Sequence, residues 1–264
     1  MTDVRAVLDD LVAEQDALDA VVAALDDEAW SRATPSPRWT VADQIAHLAY
    51  FDRAAAMAIT DPDGFASMVE DLFAAGTEER ADDLTLAAAR SLSPSELLDH
   101  WRAGRRMLAE AAAGLEAGTR IGWYGPSMGA KSFLTARLME CWAHGQDIVD
   151  SVDGERPATD RLRHIAQLGV ITRDWAYVNR GEEPPAEDVL VRLTGPSGEE
   201  WAWGPEAATA SVVGGAEDFC LVVTQRRHVD DTDLEVTGEA ARHWLDRAQA
   251  FAGPATDGPS PRGS

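Results

Sequence analysis

Residues 132–150, S-F-L-T-A-R-L-M-E-C-W-A-H-G-Q-D-I-V-D, set how the rest of the chain is read. Leu134, Leu138, Cys141, Trp142 and Val149 fall on one side of a helical projection and mark a core-facing surface. Phe133, Glu140, His144 and Asp147 form the stripe beside it. Glu140 and His144 are four positions apart, about one turn, so both side chains leave the same face. On an exposed surface such a pair amounts to a contact worth a few tenths of a kcal/mol. Against a bundle interior, polar groups left unpaired are costly, and a metal or another partner is expected. A carboxylate and an imidazole on one rigid helix hold two corners of a metal polyhedron, and a third donor must come from elsewhere.

The best third donor is His47, in W-T-V-A-D-Q-I-A-H-L, a second helical stretch that a bundle could set against the first. Thr40 caps this helix, with Asp43 three residues on as the capping-box partner, and Val41, Ile45, Leu48 and Phe51 mark its buried face. A lone histidine beside such a face is more often a satisfied core residue than a ligand. The Glu140 and His144 pair tips the balance, and two imidazoles with one carboxylate leave a zinc-like ion an open position, the pattern of catalytic sites.

Composition bounds the alternatives. With 46 Asp+Glu against 23 Lys+Arg, the formal charge of −23 repels phosphate backbones and anionic membrane surfaces, so neither nucleic acid nor membrane is an expected partner. No stretch approaches the roughly 18 apolar residues of a membrane span, and the acidic amino terminus has no apolar signal core. Cys141 and Cys220 are too few for a disulfide scaffold, and a soluble protein of a reducing cytoplasm is expected, monomeric or homodimeric.

In chain order, Val4, Leu8, Leu11, Val12, Leu18, Val22 and Leu25 give a first bundle helix. Phe65, Met68, Val69, Leu72 and Phe73 give a short helix after a turn at residues 61–64. Ser93, Pro94 and Glu96 start a helix expected to run to about Ala117, packed through Leu97, Trp101, Met107, Leu108 and Leu115, with Arg102, Arg105 and Arg106 on a solvated face. The loop I-G-W-Y-G-P-S-M-G then carries Trp123 and Tyr124, which either plug the bundle end or line a substrate. Residues 160–179 read as one more helix with Leu162, Ile165, Leu168, Ile171, Trp175 and Val178 inward, and His164 is a weaker fourth-ligand candidate.

At G-E-E-P-P-A-E, residues 181–187, the pattern changes and a domain boundary is expected. Beyond it, residues 189–194 and 199–204 read as a hairpin, 211–213 and 234–236 as further extended segments, and 215–227 and 239–251 as helices. The expected architecture is mainly α: an up-down four-helix bundle over residues 1–180, a small α+β domain over 187–252, and a disordered tail over 253–264.

W-T-V-A-D-Q-I-A-H, W-Y-G-P-S-M and A-R-L-M-E-C-W-A-H-G-Q-D, in that order, resemble the DinB-like metalloproteins of actinobacteria, whose characterised type is mycothiol-dependent maleylpyruvate isomerase. The likeness spans residues 4–251 and is nearest to the subgroup labelled as metal-binding or wyosine-base-formation proteins. It implies a divalent metal, usually zinc, held by residues that map onto His47, Glu140 and His144. It also implies a sterol-carrier-protein-like second domain and mycothiol as the thiol cofactor. An arginine of the second domain contributes to thiol binding in such proteins, and Arg226 and Arg227 are the nearest candidates. A pair of surface arginines at a helix C-terminus, favoured there by the helix dipole, is the commoner arrangement.

A metal-bound thiol, normally of pKa about 8.5, is favoured as thiolate and can attack a small electrophile. Transferase and isomerase outcomes both follow. A hydrolase with metal-bound water and Asp43 or Asp147 as base is the alternative, as is a non-enzymatic metal-binding or carrier protein.

Overall fold

The computed structural model describes residues 3–74 and 85–262, and clusters into two compact units, Met1–Arg156 and Pro157–Ser264. Four long helices build the first unit: α1 (Val4–Val22), α2 (Val41–Thr60), α4 (Pro94–Ala112) and α5 (Ala130–Val152), with the short α3 (Pro62–Phe73) after α2. The expected start signals are present. Thr40 Oγ1 accepts from Asp43 N while the Asp43 carboxylate accepts from Thr40 N, and Ser93 with Glu96 does the same for α4.

Contacts along the bundle give the helix directions. Gln44 meets His144 while His47 meets Glu140, so α5 runs antiparallel to α2, and Asp16 meets Arg105 while Asp19 meets Arg102, so α1 runs antiparallel to α4. Asp43 meets Arg90, just ahead of α4, and Asp52 meets Trp101, so α2 and α4 run the same way. The order is therefore up-down-down-up. A short loop between α2 and α4 would have forced them antiparallel, whereas the long connection through α3 does not.

Apolar stripes close the core around Leu18, Ile45, Leu48, Trp101, Leu108, Phe133 and Leu138, all 2% exposed or less. Two of the acids taken into it are paired: Asp52 accepts from Gln15 Nε2 and Trp101 Nε1, and Glu14 faces Arg156 at 3.2 Å. Arg102 and Arg105 were expected on a solvated face. Instead they clamp Asp19 of α1, each at 2.6 Å, because α1 turns this buried acid toward α4. The α4 helix ends at Ala112, short of Ala117, and Met107 is 45% exposed, outside the contact stripe. A two-stranded ribbon, β1 (Arg120–Ile121) with β2 (Met128–Gly129), carries the Trp123–Tyr124 loop into α5.

The second unit begins at Pro157, earlier than the change of pattern at residues 181–187. Residues expected to complete the bundle instead pack within this unit. Leu162 O accepts from Cys220 Sγ, and Gly169 lies so close to Val223 that a Cβ would meet it at 2.8 Å. The expected single helix over 160–179 divides at Thr172 into α6 (Leu162–Ile171) and α7 (Arg173–Val178). The break turns Ile171, Trp175 and Val178 outward, at 61%, 44% and 57% exposure, against the inward placement expected from an unbroken helix.

The sheet runs β4-β3-β5-β6, from β3 (Val189–Thr194), β4 (Glu200–Trp203), β5 (Ala210–Gly215) and β6 (Glu235–Thr237). The β3–β4 pair is an antiparallel hairpin, β3–β5 is parallel and β5–β6 antiparallel. Helices α8 (Ala216–Val223) and α9 (Glu239–Leu245) complete the α+β unit, and α9 stops short of Phe251. The tail expected to be disordered is held as far as Arg262. Asn179 Nδ2 donates to Gly253 O, Gln225 Nε2 to Thr256 O, and Arg262 N to Asp231. Backbone carbonyls and two glutamine side chains supply partners that tail composition alone does not reveal.

Candidate metal centre

His47 from α2 and Glu140 and His144 from α5 converge, each offering a ligand atom within 4.8 Å of the others. Glu140 Oε2 stands 3.1 Å from His144 Nε2 and 3.7 Å from His47 Nε2. Donors about 2.0–2.1 Å from a tetrahedral zinc lie about 3.3 Å apart, so the spacing suits such an ion. The His47 and Glu140 side chains are 17% and 21% exposed, enclosed yet reachable.

Residues around the trio set its protonation. Gln44, fully buried on α2, donates from Nε2 to Thr34 Oγ1 at 2.8 Å and faces Asp147 at 3.4 Å. Its Oε1 is thereby left as an acceptor, 2.6 Å from His144 Nδ1. Nδ1 then carries the hydrogen, and Nε2 turns a lone pair toward the Glu140 carboxylate. Burial and the neighbouring His144 push the His47 pKa down to about 4, so this imidazole is neutral near pH 7. Burial opposes charge on Glu140, but its close contacts with the His144 and His47 side chains, with the Arg137 cation, outweigh it and hold the carboxyl well below its usual range. Two imidazoles and a carboxylate converging in this way are a donor set that a divalent cation satisfies.

The Pro- and Ser-containing loop before α2 is part of the site. Its ends pair at Ala33 and Thr40, and Thr34 bonds the carbonyl of Trp39. This turn stacks the Trp39 ring on His144, with centroids 5.8 Å apart, and sets it 4.9 Å from His47. Phe51 covers His47 from the other side at 4.5 Å. Trp123 and Tyr124 continue the aromatic wall: Trp123 stacks on Phe65 at 5.4 Å, and Tyr124 meets Phe51 at the same distance. The loop aromatics therefore join the wall that reaches the trio through Phe51.

Gln44, Trp39 and Arg137 were not singled out from sequence. Gln44 lies three positions before His47, and Arg137 three before Glu140, a same-face spacing that would have found both. Asp43 and Asp147, the candidate bases of a hydrolase, have other work: Asp43 caps α2 and pairs with Arg90 at 2.8 Å, and Asp147 accepts from Ser36 and faces Gln44. Cys141 is buried, and burial first and the Glu14 charge second hold its thiol well above the usual range, so it is no nucleophile. Arg226 and Arg227 lie in the second unit just past α8, where their guanidiniums bond the carbonyls of Thr224 and Arg226. His164 lies on α6 of that unit.

Residues 11–149 match the family model described as Mycothiol maleylpyruvate isomerase N-terminal domain, and residues 185–237 the one described as Wyosine base formation. Two uncharacterized proteins, one from each of two strains of Mycobacterium tuberculosis, are 49% identical over 254 residues, covering 96% of this chain and 98% of theirs. Crystal structures of mycothiol-dependent maleylpyruvate isomerase and of a histidine-to-alanine mutant of it share the fold, with TM-scores of 0.58 and 0.57 at 18% identity. The alignments cover 91% of this chain and 97% of those. Among the described residues, no helix is long and apolar enough to cross a membrane.

Proposed function

The chain belongs to the mycothiol maleylpyruvate isomerase N-terminal domain family, and from that premise we propose that it is a divalent-metal-dependent transferase or isomerase using mycothiol toward a small electrophile. The convergence of His47, Glu140 and His144 within 4.8 Å carries this reading. Zinc or a similar ion, when bound, would favour the thiolate form of a low-molecular-weight thiol near neutral pH. The protein's part is to hold and shield. His47, neutral at working pH, and Glu140, kept anionic, remain donors, while Gln44 locks the tautomer of His144. Trp39 and Phe51 cover the imidazoles and limit water, which favours the thiol over hydroxide as the reacting group. Trp123 and Tyr124 form the wall against which an electrophile would lie. With both cysteines buried and their thiols held protonated, the nucleophile is external.

Purified protein should carry about one divalent metal per chain by elemental analysis, and His47→Ala and His144→Ala should each lose it. Metal retained at wild-type stoichiometry by both variants refutes the ligand set. Cobalt-substituted protein should develop a thiolate-to-metal charge-transfer band on adding mycothiol. No spectral change at saturating thiol removes the thiol-dependent reading.

A further inference from the structure

Arg137 is a cation buried beside the proposed centre without a hydrogen-bond acceptor. It sits on α5 one turn before Glu140 and is 5% exposed. Its nearest anion, Glu140 Oε1, lies 3.8 Å from one terminal nitrogen, beyond hydrogen-bond reach, and the other oxygen of that carboxylate faces the two histidines. Asp52, the other acid whose field reaches it, already accepts from Gln15 and Trp101. Among the described residues no acceptor takes any of the five N–H donors of this guanidinium. These nitrogens are not sealed from solvent, so a ligand entering beside the centre can reach the fork.

The surroundings hold the guanidinium ready for a ligand. Its central carbon lies 5.6 Å from the Phe51 ring centroid and 5.2 Å from that of Trp123, so two aromatic rings flank it. A buried orphan lies in the same box: the Tyr124 hydroxyl makes no hydrogen bond of acceptable geometry, although Tyr50 lies beside it. Burial keeps that hydroxyl protonated and able to donate. Unmet donors on a fork and a phenol, walled by Phe51, Phe65, Trp123 and Phe133, call for an oxyanion on a flat apolar body. The chain's net charge of −23 argues against a polyanion and for a small, enclosed one.

The geometry points to Arg137, assisted by Tyr124, as the residue that binds the carboxylate of a small, flat substrate and sets its body beside the His47, Glu140 and His144 centre. This assignment rests on that centre being the site of chemistry, but its test does not require the metal.

The test is a ligand-observed NMR titration of the full-length protein, zinc-loaded and metal-free, with benzoate and its neutral isostere benzamide. Benzoate should bind at least tenfold more tightly than benzamide in both metal states. Arg137→Gln should abolish the preference, Arg137→Lys should retain part of it because the charge stays while the fork is lost, and Tyr124→Phe should weaken benzoate alone. Equal affinity for the two probes, absence of benzoate binding, or a preference that survives Arg137→Gln overturns the assignment. A preference seen only in the zinc-loaded protein also overturns it, by moving the anion to the metal. Circular dichroism checks each variant. If Arg137→Gln does not fold, the wild-type comparison in metal-free protein and the lysine variant still decide. Failure of the ligand set would appear separately, as metal retention in the histidine variants.

Discussion

Replacing Gln44 by methionine tests what a residue outside the proposed ligand set would contribute to metal binding. Methionine keeps nearly the volume of a side chain that is fully buried, so the bundle should stay packed, but it removes the acceptor 2.6 Å from His144 Nδ1. Two consequences follow. The Nδ1–H becomes a buried donor without a partner, costing about 1–3 kcal/mol unless the imidazole shifts its proton to Nε2. A proton on Nε2 lies where the ion should sit and would hydrogen-bond Glu140 at 3.1 Å, so metal binding must displace it. Loss of an outer hydrogen bond of this kind lowers metal affinity about 10–100-fold, equivalent to about 1.4–2.7 kcal/mol. Competition against a chromophoric zinc chelator at fixed pH measures it directly. Affinity within twofold of wild type, in a variant that unfolds as a single cooperative transition, would refute the role given to Gln44.

Asp52→Asn should stabilise the protein near pH 7. Burial, eased by Arg137, Trp101 and Gln15, pushes the Asp52 pKa from 3.8 up to about 6, so the folded state holds this proton more tightly than the unfolded one. Stability therefore falls as pH rises between these values and the full penalty stands above about 6. At about 1.4 kcal/mol per pH unit it reaches ~3 kcal/mol, which asparagine removes while still accepting from Gln15 and Trp101. Urea titrations should show a gain at pH 7 that shrinks toward pH 4, and a gain of equal size at both would contradict the assignment. Gly169→Ala should destabilise by about 1–3 kcal/mol, because the added Cβ meets the stiff Val223 side chain at 2.8 Å. Unchanged thermal stability would show that α6 and α8 are not in contact there.

Legible in the sequence were the bundle helices, their starts and the three residues proposed here as ligands. Those follow from short-range rules: a threonine or serine cap answered three residues later, apolar side chains recurring each turn, and Glu140 and His144 four positions apart on one face. It did not carry the helix directions, since the crossing from α2 to α4 is a property of a long connection. Nor did it show that Arg102 and Arg105 would meet Asp19, eighty-odd residues away, or that α6 and α7 would break at Thr172 and join the sheet-bearing unit. Gln44 and Arg137 are the sharpest case. Each sits one turn from a proposed ligand, where helix spacing alone suggests proximity. Whether such a polar side chain meets an acceptor, a neighbouring imidazole or nothing depends on atoms brought by other helices, and only the folded bundle supplies them.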